Sequence, residues 1–421
     1  MDSLHRKALL GQMSSRPPRT PSGESATSAP RNKRSRRDFT PSSWEQYFDR
    51  KEDVTVGESN VFRVYHKGTE GAVLLLLHGG GLSALSFAVL TNDLSQMCNC
   101  RVAAVDLRGH GDSHTDDDYK LDIETLVCDV TDIVRAMYGS EPPPIVLMGH
   151  SMGGALAVRV AHSRSLPSLA GLIVIDVVEG TAMDALSAMQ AFLRSQPKKF
   201  ASLQGAIEWA CRSGQIRNAE SARISMPPRL SPASTGGHAT QAEPTAEARS
   251  PVERAGQPLQ GISETGASEA ASSDEDMASS SSPSPSEDAV SDTASANEGS
   301  MPPPDILPQS VPPSSYVWRI DLTKTEPYWQ GWFKGLSSYF LDSGVPSFLL
   351  LAGVDRLDKE MTIAHMQGKF QMQVLPEVGH CVHEDAPDKV ADAVATFLVR
   401  YKLAARGENS RVPEQRSPFR M

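Results

Sequence analysis

The run Ile145-Val146-Leu147-Met148 leads directly into Gly149-His150-Ser151-Met152-Gly153-Gly154 and then into the small residues Ala155-Leu156-Ala157. Few local patterns constrain a fold more. A short, all-apolar run reads as a strand buried on both faces, which belongs in a parallel sheet covered by helices. The G-x-S-x-G string after it reads as a tight strand-to-helix turn. Its serine is held in strained backbone, and only glycines on its flanks leave room for the neighbouring chain. Ser151 Oγ is expected to project from the top of the sheet, with a helix N-terminus behind it.

The rest of the chain supplies the sheet. A hairpin is expected at Val54–Val56 and Val61–Tyr65 around Gly57-Glu58-Ser59-Asn60. Further strands are expected at Val73–Leu77, Val102–Asp106, Leu172–Asp176, Phe348–Ala352 and Gln371–Leu375. Between them fall helical patterns at Leu85–Leu94, Thr125–Met137 and Pro387–Tyr401. Strands alternating with helices predict an α/β fold whose mostly parallel central sheet is flanked by helices. After Asp176 the rhythm breaks. Met183–Leu193 and Leu203–Arg212 read as helices of a lid over the sheet, spanning about 180–340.

Not all 421 residues join this core. Residues 1–37 are rich in Pro, Ser, Thr and Arg and read as a disordered basic tail. Within the lid, 227–313 turns to Ser, Pro, Ala, Glu and Gly, with acids far exceeding bases. That composition cannot bury enough apolar surface to offset chain entropy, so it reads as a long disordered acidic insertion. A closed loop of this length costs little more than a short one. The α/β domain proper is expected over 38–406, and 407–421 reads as a loose tail.

Composition narrows the partners. A net charge of −10 argues against nucleic acid as a general ligand. The longest apolar runs, such as Ala72–Leu77, are far too short to span a bilayer, and the N-terminus has no apolar secretory h-region. Five cysteines with no framework spacing suggest free thiols in the cytoplasm. The cluster Arg31-Asn32-Lys33-Arg34-Ser35-Arg36-Arg37 reads equally as a nuclear import signal or as an ordinary solvated tail.

A nucleophilic serine needs a base, and the base needs an orienting acid, in the chain order Ser, acid, His. Of eleven histidines, His380 in Val378-Gly379-His380 sits best, in a loop after the last strand. His383 is a nearby decoy. His150 is expected to pack in the elbow, and His110 and His114 to be solvated. Two acids end strands. Asp355 follows Phe348–Ala352 and Asp176 ends Leu172–Asp176, with spacing slightly favouring Asp355. The oxyanion hole needs two backbone N–H donors, expected at Met152 and at Gly80 in His78-Gly79-Gly80-Gly81. The glycines lack the following Lys-Ser/Thr of a phosphate loop. No cluster has metal-ligand spacing, and no cofactor is implied. Asp106-Leu107-Arg108-Gly109-His110-Gly111 reads as a structural turn.

Longer strings carry a more specific signal. Leu75–Gly81, Pro142–Ala155, Ile175–Met189, Trp209–Ser221, Leu349–Asp358 and Gln367–Asp388 together resemble the protein phosphatase methylesterases, a branch of the α/β-hydrolases. The string Ile175-Asp176-Val177-Val178-Glu179-Gly180-Thr181-Ala182-Met183-Asp184 is not generic to hydrolases. The resemblance implies a serine carboxylesterase acting on the C-terminal leucine methyl ester of the type 2A protein phosphatase catalytic subunit, alone and in its holoenzymes. It places the nucleophile at Ser151, the base at His380 and the acid at Asp176 rather than Asp355. It also implies that the chain is a monomer by itself. The aromatics from Trp318 through Trp332 would either receive the substrate tail or simply pack the lid. Two other readings share these residues: a small-molecule or lipid esterase, and a phosphatase-binding regulator with little catalysis.

Overall fold

Eight strands form the central sheet of the computed structural model, which describes residues 37–233 and 315–407. In chain order they are β1 (Arg50–Val56), β2 (Asn60–Lys67), β3 (Val73–Leu77), β4 (Arg101–Val105), β5 (Ile145–His150), β6 (Leu169–Ile175), β7 (Ser347–Leu351) and β8 (Gln371–Val374). Across the sheet they run β1-β2-β4-β3-β5-β6-β7-β8. The β1–β2 and β2–β4 pairs are antiparallel, and every other pair is parallel. The chain divides after Asp38, and all of these elements lie in the part that starts at Phe39.

Strand period decides which side chain goes where. Val73, Leu75 and Leu77, Ile145 and Leu147, and Leu172 and Val174 face one apolar layer. Leu74 and Leu76, Val146 and Met148, and Ile173 and Ile175 face the other. Alternate residues of one strand point to opposite faces, so an all-apolar strand needs cover on both. The first layer is covered by α2 (Ile123–Tyr138) and α3 (Met152–Ser163), the second by α1 (Ala88–Met97) and α10 (Pro387–Arg400). Each fully buried Leu or Val contributes roughly 1.5–3 kcal/mol relative to exposure. Helix α2 starts where Asp122 accepts the Thr125 N–H at 2.8 Å, an N-cap that meets one orphan donor.

The chain between β6 and β7 carries α4 (Glu179–Ser195), α5 (Leu203–Ser213), α6 (Ala219–Ser225), α7 (Glu326–Phe333) and α8 (Leu336–Leu341). Phe200, Ile207, Ala210, Ile216, Met226, Leu230 and Tyr316 give part of this segment its own apolar core. One expectation is corrected here. Pro227–Arg229 form a buried 3-10 turn, and Leu230–Pro232 pair antiparallel with Tyr316–Trp318. Prolines that suggested irregular chain instead sit where no ladder donor is needed. The remainder of that stretch, 234–314, lies outside the described residues, as do the basic cluster up to Arg36 and the tail from 408 onward.

Candidate active site

Ser151 links β5 to α3 with φ 52° and ψ −119°. Positive φ at a residue with a side chain costs of order 1–3 kcal/mol and persists only where the surroundings impose it. Here they do. The Ser151 N–H donates to the Ile175 carbonyl at 3.0 Å, and the Ser151 carbonyl accepts the Ala155 N–H at 3.0 Å. A Cβ on Gly149 would meet the Gly153 carbonyl oxygen at 2.0 Å, and one on Gly153 would meet the Leu77 carbonyl oxygen at 2.1 Å. Both glycines are therefore required by close backbone approach. Among the described residues the Ser151 hydroxyl has no hydrogen-bond partner.

Asp176 directly follows β6, also at positive φ, with its side chain fully buried. Its Oδ1 accepts the Ala352 N–H at 2.9 Å. Its Oδ2 accepts His380 Nδ1–H at 2.8 Å and Arg356 Nη1–H at 2.5 Å. The two nitrogens and one backbone amide satisfy a buried carboxylate that would otherwise be expensive. Asp355 lies one residue before Arg356 in the exposed turn Val354–Arg356 and makes no such contact. His380 sits in the loop after β8 with its side chain 52% exposed, and its carbonyl meets His150 Nε2 at 2.9 Å.

The other histidines part company with the sequence reading at one position. His383 is fully buried, its ring 4.5 Å from those of Phe87 and His150, and burial pushes its pKa down to about 3. His150 packs in the elbow, and its pKa is driven well below the ordinary value by burial and then by His383 and His380. His114 is exposed. His110 is not solvated: it is 1% exposed and accepts the Gly81 N–H at its Nε2, 2.9 Å away. A histidine between two glycines carries no apolar neighbour in sequence to signal burial, and only the fold brings the Gly79–Gly81 turn over it.

Met152 opens α3, where its amide precedes the first intrahelical bond. Gly80 faces it: a Cβ there would stand 3.7 Å from Met152 Sδ. The loop of His380 is tied to the inserted segment. The Arg217 N–H donates to Asp385 at 2.7 Å, the Ser221 hydroxyl to the Glu384 carbonyl at 2.8 Å, and Arg229 Nη2 to both Glu384 carboxylate oxygens at 2.8 Å. None of these ties was anticipated, because their sequence separations exceed 150 residues.

The tryptophans resolve as packing. Trp329 and Trp332 are buried, with their Nε1–H groups on Thr325 Oγ1 at 3.0 Å and the Leu121 carbonyl at 2.6 Å. Trp318 donates to the Pro197 carbonyl at 2.8 Å. Their donors are committed within the fold. Large apolar side chains do stand exposed elsewhere: Phe192 on α4, Val354 beside Arg356, and Ile363 and Met366 on α9 (Lys359–Met366). No helix among the described residues is long and apolar enough to cross a membrane.

Comparison with known proteins places this geometry among relatives. Residues 74–393 match the model of the alpha/beta hydrolase family. Protein phosphatase methylesterase 1 of Homo sapiens is 49% identical over 412 residues, covering 96% of this chain and 97% of the relative. The probable protein phosphatase methylesterase 1 of Caenorhabditis elegans is 38% identical, over 92% of this chain and 84% of its own. Among solved structures, E-2-(acetamidomethylene)succinate hydrolase superposes with a TM-score of 0.55 at 17% identity, covering 83% of this chain and 99% of that one. At that identity the likeness speaks for the fold.

Proposed function

The chain belongs to the alpha/beta hydrolase family and, within it, to the protein phosphatase methylesterases, which are carboxylic ester hydrolases; on that premise we propose that it demethylates the C-terminal leucine methyl ester of the type 2A protein phosphatase catalytic subunit through Ser151, His380 and Asp176. The observation that carries the site is the 2.8 Å contact of His380 Nδ1 with the buried Asp176 Oδ2, at the carboxyl ends of the central strands β5 and β6, where Ser151 stands.

In this reading His380 Nε2 removes the Ser151 hydroxyl proton as Oγ attacks the ester carbonyl. The tetrahedral oxyanion is held by the Met152 and Gly80 N–H groups. His380 then protonates the departing methoxide, which leaves as methanol, and Ser151 retains the leucyl acyl group as an ester. Water, deprotonated by His380, attacks that ester through a second oxyanion. The free leucine carboxylate leaves and Ser151 recovers its proton. Asp176 keeps the imidazole in the Nδ1–H tautomer and stabilises the imidazolium that forms in each half. The Ser151–His380 hydrogen bond is completed when substrate is bound, as is common for catalytic hydrogen bonds that are long in the free enzyme.

A folded phosphatase needs a surface to dock on; the chain that follows β7 carries the exposed apolar side chains Val354, Ile363 and Met366, with Val354 two residues from Arg356. Competition separates this reading from a small-ester hydrolase: a fluorophosphonate should label Ser151, and carboxymethylated phosphatase should protect it. Labelling unaffected by saturating phosphatase would contradict a protein substrate at this site.

A further inference from the structure

The loop that carries Gly80 is held from below by two buried histidines. His78 Nε2 accepts the Leu107 N–H at 3.0 Å, and its Nδ1 contacts the Gly79 carbonyl at 2.8 Å. His110 Nε2 accepts the Gly81 N–H at 2.9 Å, and its Nδ1 donates to the Arg108 carbonyl at 2.7 Å. The rings meet edge to face, 4.9 Å between centroids, and neither is more than 1% exposed. A third tie runs from the Ala84 N–H to Asp106 Oδ1 at 2.7 Å. Segment 78–84 and turn 106–110 are thus joined by a reciprocal pair of imidazoles, one contributed by each.

The partners dictate the tautomer. An Nε2 that faces a backbone N–H must present its lone pair, so the proton sits on Nδ1, where a carbonyl receives it. The state is neutral, and burial favours it: the His110 pKa is pushed down to about 4, with the nearby Arg319 pushing the same way and Asp118 opposing. The consequence for the loop is specific. The Leu82 N–H is taken by the Gly79 carbonyl at 3.1 Å and the Gly81 N–H by His110. Among the described residues the Gly80 N–H has no acceptor within the protein, whereas the two amides that follow it in the turn are both engaged.

We propose that His110 is a positioning residue for the oxyanion hole, drawing the Gly81 N–H inward so that the Gly80 N–H is left facing outward beside that of Met152. The inference rests on the catalytic reading of Ser151 and deepens it. It distinguishes a hole built by glycine freedom alone from one aimed by a hydrogen bond. Glycines permit the turn, but a floppy donor loses its advantage, because oxyanion stabilisation depends on dipoles already oriented before the reaction.

Two near-isosteres test it. His110→Gln can place an amide oxygen near the position of Nε2 and accept the Gly81 N–H. His110→Asn can mimic only the Nδ1 side. Methyl release from carboxymethylated phosphatase is followed beside the affinity for a trifluoromethyl ketone, whose hydrate-like adduct at Ser151 places an oxyanion in the hole. For His110→Asn the expected result is a kcat lower by about 10- to 100-fold, KM within about twofold, and ketone affinity reduced by a similar factor, somewhat less than deletion of a hole donor. His110→Gln should recover most of both. Wild-type kcat and ketone affinity in His110→Asn would overturn the proposal, as would a loss confined to KM or an equal loss in both variants matched by their drop in Tm. Ser151→Ala is run in parallel. If it still releases methyl, the catalytic reading falls and this inference with it. If it is inactive while His110→Asn is not impaired, this inference alone falls. Should His110→Asn not fold, wild-type protein with 15N-labelled histidine answers the same question: ketone binding must shift the His110 Nε2 resonance, and an unmoved resonance would overturn the proposal.

Discussion

Arg356 and His380 converge on a single oxygen of Asp176, Arg356 from 2.5 Å and His380 from 2.8 Å. The carboxylate therefore serves two donors with one atom while its other oxygen is spent on the Ala352 amide. This geometry supports Asp176, the acid that the family resemblance implies, over Asp355. Asp176 is buried under the histidine it contacts, whereas Asp355 is turned to solvent on the neighbouring residue of the same short turn.

Replacing Asp176 by Asn should therefore lower kcat by about 10³- to 10⁴-fold, since the amide favours the wrong tautomer of His380 and cannot balance its charge. Asp355→Asn should stay within about threefold of wild type. Steady-state methyl release measures both, and the opposite ranking would move the acid to Asp355.

The strain at Ser151 gives a stability signature independent of turnover. Removing the hydroxyl as Ala leaves φ at 52° with a Cβ in place, whereas Gly removes the penalty. Ser151→Gly should be more stable than Ser151→Ala by about 1 kcal/mol, read as a Tm higher by about 2–4 °C. Equal Tm values would contradict a strained elbow.

The Arg229–Glu384 pair is almost wholly buried, at 5% and 0% side-chain exposure. Truncating one partner leaves an unpaired charge in the interior, so Arg229→Met should cost about 3–5 kcal/mol. Arg229→Met combined with Glu384→Leu should cost less than Arg229→Met alone. Chemical denaturation of the single and double variants gives the coupling, and additive losses would contradict it.

Burial also sets a pH dependence. His66 and His110 are pushed down to about 4 and His383 to about 3, while His78 and His150 are driven well below the ordinary value, all chiefly by desolvation. Below about pH 6.5 an unfolded chain protonates these five groups while the folded chain resists until near pH 4. Asp106 acts in the opposite sense, since burial raises its pKa to about 7 and the folded chain holds its proton. The unfolded state binds more protons in this window, so stability rises with pH, by up to about 1.4 kcal/mol per pH unit for each net proton. Tm should fall continuously from pH 6.5 to pH 4.5, with proton uptake on unfolding. A flat profile would contradict the assignment of these rings as neutral and buried.

Much of the sheet was legible because all-apolar strands have few alternatives: β3, β5, β6 and β7 fall within three residues of their expected bounds. The elbow was legible because glycine spacing and strand-helix order coincide at Ser151. Strand position alone did not choose the acid, since Asp176 and Asp355 both follow strands; the resemblance pointed to Asp176, and Asp176 is the one that meets His380. The supports of the Gly79–Gly81 turn were not legible. His110 lies 29 residues from its Gly81 partner, in a turn whose polar composition reads as surface. Pro227–Pro232 misled for the converse reason: a disorder-prone composition there is packed by Arg229 on Glu384 and by the pairing with Tyr316–Trp318.

Methyl release from the carboxymethylated type 2A phosphatase catalytic subunit, by wild type and by Ser151→Ala, tests the assignment of Ser151 most directly. Wild type should release methyl and the variant should not, while both still bind the phosphatase. Release by both proteins, or by neither despite tight binding, would contradict it.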